Sequence, residues 1–390
     1  MRTEDAGAIP SQQRDGRIDL YRGMALLFIF WDHIPGNVVA QLTPRNFGFS
    51  DAAEIFVFLA GYGVALAYGQ HFERDGWLRS CLRILRRAWA LYVAHIFVLV
   101  LLSGIVILAN ARVETRDLIE EMHLGYLVQN TEHALVDALV LRFKPSLMDP
   151  LPLYIVLLLA LAVALPVLVR RPARLVAGSA ALYALTLGFG WTLPSAPGEA
   201  WFFNPLAWQF LFVLGAASAV AARSGAAVRL PPGLVAAAAG FMIVSALLAL
   251  SWRWPELHDA VMPRRLAEWI YPIDKSSLAP LRLLHFMALA CCAAVLLRPG
   301  AWQDRPIIRD VRLLGRHSLE IFCLGVILAP LADAANTLGG DRPMVQIATS
   351  VMGAAAMVAF ASLLQWSRDQ LLAPAAGSKL VSRHDPARGT

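Results

Sequence analysis

Arg22 and His33 stand eleven residues apart in the run RIDLYRGMALLFIFWDHIPG. At about 100° per residue they share one helix face, roughly 20° out of register and about 16 Å apart along the axis. An ionisable side chain deep in an apolar run is costly to keep there, so it reads as a group with a task. A guanidinium at one end of the face and a titratable imidazole at the other describe a path for an anionic ligand that ends at a general base. Asp32 precedes His33 directly and lies about 100° around the helix from it. Glu54, one turn into the next apolar run, is the carboxylate expected to approach His33. Bonded to Nδ1–H, it would fix the tautomer and leave Nε2 to take a proton from a hydroxyl. The competing reading has His33 closing a helix end before Pro35, with Asp51 and Glu54 only favouring a helix N-terminus.

Other candidates flank this pair. Arg309, Arg312, Arg316 and His317 form a basic entrance to a later apolar run, suited to phosphate at a helix N-terminus. With Arg22, the residues Arg312 and Arg316 are the expected anion-binding set, and plain charge topology is the alternative. Arg79, Arg83, Arg86 and Arg87 have the spacing of an amphipathic surface helix. At the opposite end, Asp149 and Tyr154 (MDPLPLY) and Asn204, Trp208 and Gln209 (FNPLAWQ) open two apolar runs, and Lys275 follows later. Aromatic faces and amides of this kind recognise sugars, and an interfacial aromatic belt is the rival explanation. Glu320 and His285 are expected to be buried polar residues that bridge helices or meet ligand.

The elements that must position these residues follow from composition. The chain has 390 residues, 58% hydrophobic and 16% charged, against about 45–50% and about 25% in soluble domains. The apolar residues come in runs of roughly 18–25, the length a bilayer requires of a helix. A soluble enzyme, a disordered chain and a disulfide scaffold are thereby excluded. The expected fold is an all-α polytopic membrane protein with ten spans, at 18–36, 50–69, 88–110, 151–169, 173–191, 206–222, 232–252, 279–297, 317–337 and 344–366. About 23 of the 34 basic residues then fall on one side, which puts both termini in the cytoplasm. Residues 1–17 form an N-terminal cytoplasmic tail, and residues 367–390 a C-terminal one expected to be disordered. No cleavable signal segment is visible. The four cysteines show no metal or disulfide spacing, and the net charge of +6 is scattered between spans and forms no stripe for nucleic acid. Two long outer segments, 111–150 and 253–278, are expected to fold as caps and to carry substrate choice.

The Arg22-to-His33 spacing resembles the signature of the membrane-bound acyltransferase-three superfamily. RIDLYRG, NFGFSDAAEIFVFLAGYGVA, MDPLPLY and FNPLAWQFLFVLG, in that order, resemble the OpgC family more specifically, over about residues 16–366. The resemblance implies a domain at 18–366 that transfers an acyl group, typically succinyl, from cytoplasmic acyl-CoA to hydroxyls of periplasmic glucans. It implies the inner membrane of a bacterium, acyl-CoA (succinyl-CoA) as co-substrate and no permanently bound cofactor. His33 then matches the family's catalytic histidine and Arg22 its partner at the donor end. Partners are the bilayer, the acyl donor and the glucan, with room for a homo-oligomer and none for nucleic acid. A secondary transporter of organic anions or oligosaccharides, which would move its substrate unchanged, and a scaffold subunit of a polysaccharide export complex are the rivals from other classes. No internal repeat supports the transporter.

Overall fold

The computed structural model describes residues 16–224, 230–296 and 300–372. Among them the chain is helical, with a single isolated β-bridge between Pro194 and Ala200. The helices that exceed ten residues are α1 (Gly16–Asp32), α2 (Ala52–Asn110), α3 (Pro150–Arg170), α4 (Pro172–Phe189), α5 (Pro205–Arg223), α6 (Pro232–Ser251), α7 (Pro280–Leu296), α8 (Pro306–Arg316), α9 (Ser318–Leu338) and α10 (Pro343–Leu372). Seven of these begin with proline, whose fixed φ and missing N–H suit the first helical position. Six (α2, α3, α5, α6, α9 and α10) are long and apolar enough to cross a membrane. The chain is a multi-pass membrane protein.

Each of the ten apolar segments read from the sequence overlaps a helix, the second and third both within α2. Straight, the 59 residues of α2 would span roughly 90 Å. The chain instead folds back at Gly76, whose φ of 81° is open to glycine and strained for other residues. Asp51 and the segment that follows Asn110 therefore return to the same end of the bundle. The arginines 79–87 continue this helix past the turn, with Arg83 paired to Asp75. Gly188 does not break α4, which ends at Gly190 in the left-handed conformation. Pro330 is carried inside α9. Asp333 on the same helix accepts a hydrogen bond from Arg116 at 3.0 Å. Glu320, expected to be buried, is exposed. The C-terminal boundary drawn at 367 falls inside α10. Residues 1–15 and 373–390 of the two expected tails lie outside the described residues.

The segments 111–150 and 253–278 fold as caps built from short helices, Leu118–Glu121, Gly125–Gln129 and Thr131–Leu139 in one, Pro255–Val261 and Arg264–Ile270 in the other. Below them, α1 and α8 cross with backbone against backbone. A Cβ on Gly23 would lie 1.9 Å from the Val311 carbonyl oxygen, and one on Gly315 would lie 1.8 Å from that of Asp19. Small residues that admit such an approach are the usual means of packing helices in lipid. Gly315→Ala must push the two helices apart. It is expected to cost about 1–3 kcal/mol, read as an earlier loss of the monodisperse peak when detergent-solubilised protein is heated.

Candidate active site

The C-terminal end of α1, the start of α2, the start of α3 and the segments 120–149, 195–203 and 275–282 enclose a cavity of about 730 Å³. Asp32, His33, Asp51, Lys144, Asp149 and Lys275 all line it. Four of these six, Asp32, His33, Asp149 and Lys275, are among the candidates read from the sequence.

His33 follows the last residue of α1, and its N–H still bonds the Ile29 carbonyl oxygen at 3.0 Å. The ring is half-buried in the cavity wall. Nδ1 is buried without a hydrogen-bond partner, which leaves Nε2 as the nitrogen that meets the cavity. Lys275, Asp51 and Arg45 line the same cavity. Asp32 Oδ1 accepts a hydrogen bond from Thr43 Oγ1 at 2.6 Å, and so braces the loop after α1.

Glu54 does not reach His33. It is fully buried, and its two oxygens are taken: Oε2 accepts from the Asp51 N–H at 2.9 Å, and Oε1 accepts from Arg282 Nε at 2.7 Å. The Asp51 carboxylate in turn accepts from the Ala53 N–H, so the two carboxylates form a capping box at the start of α2. Local backbone demand and a cation on α7 thus outcompete the imidazole for Glu54. Asp51 is also held by Lys275 Nζ at 2.7 Å and by an Arg282 terminal nitrogen at 3.0 Å. These two cations keep its carboxyl well below the usual carboxylate range, against the opposing effect of burial. Close by, Ser50 Oγ and His285 Nδ1 share a hydrogen bond of 2.7 Å.

The residues expected to recognise sugar divide. Tyr154 turns from the cavity toward Arg87 and Arg22. Asn204 caps α5 by accepting from the Leu206 N–H, and its amide donates to the Trp191 carbonyl oxygen at 2.7 Å. Trp208 is wholly buried, and Nε1 donates to the carbonyl oxygens of Lys275 and Ser276 at 3.1 and 3.0 Å. Gln209 ties α5 to α4 through the Ser179 carbonyl oxygen at 2.9 Å. Trp208 and Gln209 are positioning and packing residues, Trp208 fixing the backbone that presents Lys275, while Asn204 caps α5 and lines a second, adjoining hollow. Aromatic and amide residues at a helix start signal either role, and only tertiary contacts separate them.

A family model described as OpgC protein matches residues 14–369. The chain belongs to the OpgC family. No curated protein and no solved structure matches it. Membership in OpgC suggests a transferase that acts on glucans, and polar side chains of this OpgC chain converge in the cavity. Arg22 is not part of its wall. It sits lower on α1 and donates to the Leu59 carbonyl oxygen of α2 at 2.7 Å. Arg312 packs over Gly16, and Arg316 Nε lies 3.6 Å from Asp19 Oδ2, all toward the start of α1. The three arginines therefore gather away from the cavity, toward the other end of α1.

Lys144, Arg45 and Arg282, none singled out from the sequence, supply three of the cavity's cations. Lys144 Nζ donates to Ser195 Oγ at 3.1 Å and lies 4.1 Å from the centre of the Trp201 ring. Burial pushes its ammonium down to about 8, against 10.5 for a free lysine, with Asp149 opposing. Burial likewise pushes Asp149 up to about 6, with Lys144 opposing. Both are thus ionised only between about pH 6 and 8. Since burial disfavours the charged amine, the free base of Lys144 grows in from about pH 8. Reductive methylation followed by peptide mass spectrometry is expected to modify Lys144 with a half-maximal rate near that pH. Lys275, held by Asp51, should be modified more slowly across the same range.

Proposed function

We propose that this chain is a membrane O-acyltransferase, which moves a succinyl or other acyl group from cytoplasmic acyl-CoA to a hydroxyl of a periplasmic glucan. The observation that carries the reading is the half-buried His33 imidazole in the wall of a polar cavity, within a chain of the OpgC family. In this reading the ten apolar segments all cross the inner membrane of a bacterium, α2 twice, with both termini cytoplasmic. The cavity then opens outward and the Arg22 end faces the cytoplasm.

The donor enters from the cytoplasmic end, its phosphates met by Arg22, Arg312 and Arg316, each suited to phosphate oxygens. The thioester comes to rest near His33. An acceptor hydroxyl loses its proton to Nε2 as its oxygen attacks the thioester carbonyl carbon. The carbon–sulfur bond then breaks, and the imidazolium returns the proton to the departing thiolate. Oxygen gains the acyl group, and free thiol leaves. Asp32 and Glu54 act through the loop and helix start that they brace, and Asp149, Lys144 and Lys275 offer hydrogen-bonding partners to the acceptor. The Arg22-to-His33 pattern is what links the chain to the wider acyltransferase-three superfamily.

Purified protein in proteoliposomes, given radiolabelled succinyl-CoA and a linear β-glucan oligosaccharide, should place label in the glucan. Movement of unlabelled glucan or anion across the bilayer, with no covalent label from any acyl-CoA, would overturn the reading in favour of transport.

A further inference from the structure

The His33 cavity adjoins a second hollow of about 400 Å³. Glu199, Ala200 and Phe202 line both, so one stretch of the segment between α4 and α5 forms their common wall. Trp191, Thr192, Ser276 and Ser277 line the second hollow only. Trp191 is 46% exposed and Phe202 48% exposed.

Their carrier is well held. The Ser195 N–H donates to the Glu199 carbonyl oxygen at 2.6 Å and the Trp201 N–H to that of Leu193 at 3.0 Å. Asn204 clamps the Trp191 carbonyl oxygen, and Phe189 stacks on the Trp191 ring with centroids 5.5 Å apart. The hollow sets Trp191 among Thr192, Glu199, Asn204, Ser276 and Ser277, beside Phe202. An apolar ring face beside hydroxyl and carboxylate acceptors fits a pyranose, which offers a C–H face and a rim of O–H donors.

We propose that this hollow is a distal saccharide subsite, so that the acceptor is an oligosaccharide of several units laid across two adjoining hollows. The inference rests on the reading above in one respect, that the His33 cavity takes a saccharide. Its test reads binding and needs no turnover. Titration calorimetry on the purified full chain in detergent would compare a β-linked glucose disaccharide with a longer oligosaccharide of the same linkage. The wild type should bind the longer ligand roughly tenfold more tightly. Trp191→Ala should erase that preference, and Trp191→Phe, which keeps an aromatic face, should restore most of it. Trp254→Ala, at a somewhat more exposed tryptophan outside both hollows, should leave it intact.

A preference that survives in Trp191→Ala, a wild type indifferent to length, or no saccharide binding at all would each overturn the subsite. Label transfer measured in parallel separates the two ideas. Transfer without a length preference removes the subsite alone. A Trp191-dependent length preference without transfer removes the acyltransferase reading and leaves the subsite standing.

Discussion

His33→Ala is expected to lower the proposed acyl transfer by about 10²–10⁴-fold, the range over which a positioned general base contributes. The variant should fold, because the removal orphans little: Nδ1 has no partner in the structure, and the ring lies at a cavity wall rather than in the packed interior. The loss should appear in kcat with little change in KM for either substrate, since a group that acts on the transferring proton matters most in the transition state. His33→Gln, which keeps a polar side chain and cannot cycle a proton at neutral pH, should be about as slow. Label incorporation into glucan, with thiol release measured alongside, checks both variants. Equal rates in wild type and His33→Ala would remove His33 as the base.

Arg282→Met is expected to be the most destabilising single change described here, at about 3–5 kcal/mol. Arg282 is itself buried, and it is the only cation bonded to the fully buried Glu54 among the described residues. Asp51 keeps Lys275 when Arg282 is lost, whereas Glu54 keeps only the Asp51 N–H. Breaking one member of a buried pair strands the other charge, and that residue charge is the source of the cost. Arg282→Met with Glu54→Gln should therefore recover most of the stability lost by the single variant. Thermal unfolding in detergent, run as a double-mutant cycle, gives the coupling directly. A single variant within about 1 kcal/mol of wild type would show that Glu54 does not depend on Arg282.

The helices were largely legible in the sequence because their signals are local. Runs of apolar residues of bilayer length, opened by prolines such as Pro150, Pro205 and Pro232, mark nearly every long helix. The gathering of Asp149 and Lys275 beside His33 was only partly legible: each residue could be suspected, and nothing in the chain says that they meet. Glu54 shows the limit most clearly. Its spacing from Asp51 announces a capping box and its position beneath His33 invites a catalytic pairing. The arbiter, Arg282, lies 228 residues away inside an apolar run. Lys144 carried no signal because its neighbours Ser195 and Trp201 belong to a connector that looked unremarkable in sequence. Trp208 misled in the other direction, its composition suiting ligand and its contacts serving the backbone of Lys275.

The separation of Glu54 from Arg282 also has a meaning in time. Ribosomes add about 5–20 residues per second, so roughly 10–50 s pass between the synthesis of the carboxyl and that of its cation. Throughout that interval the nascent chain has several apolar segments ready to insert and an acidic side chain at the head of the second with no cationic partner from α7. The start of α2 therefore reaches its final set of contacts only after α7 has been made, although its own residues are among the first synthesised.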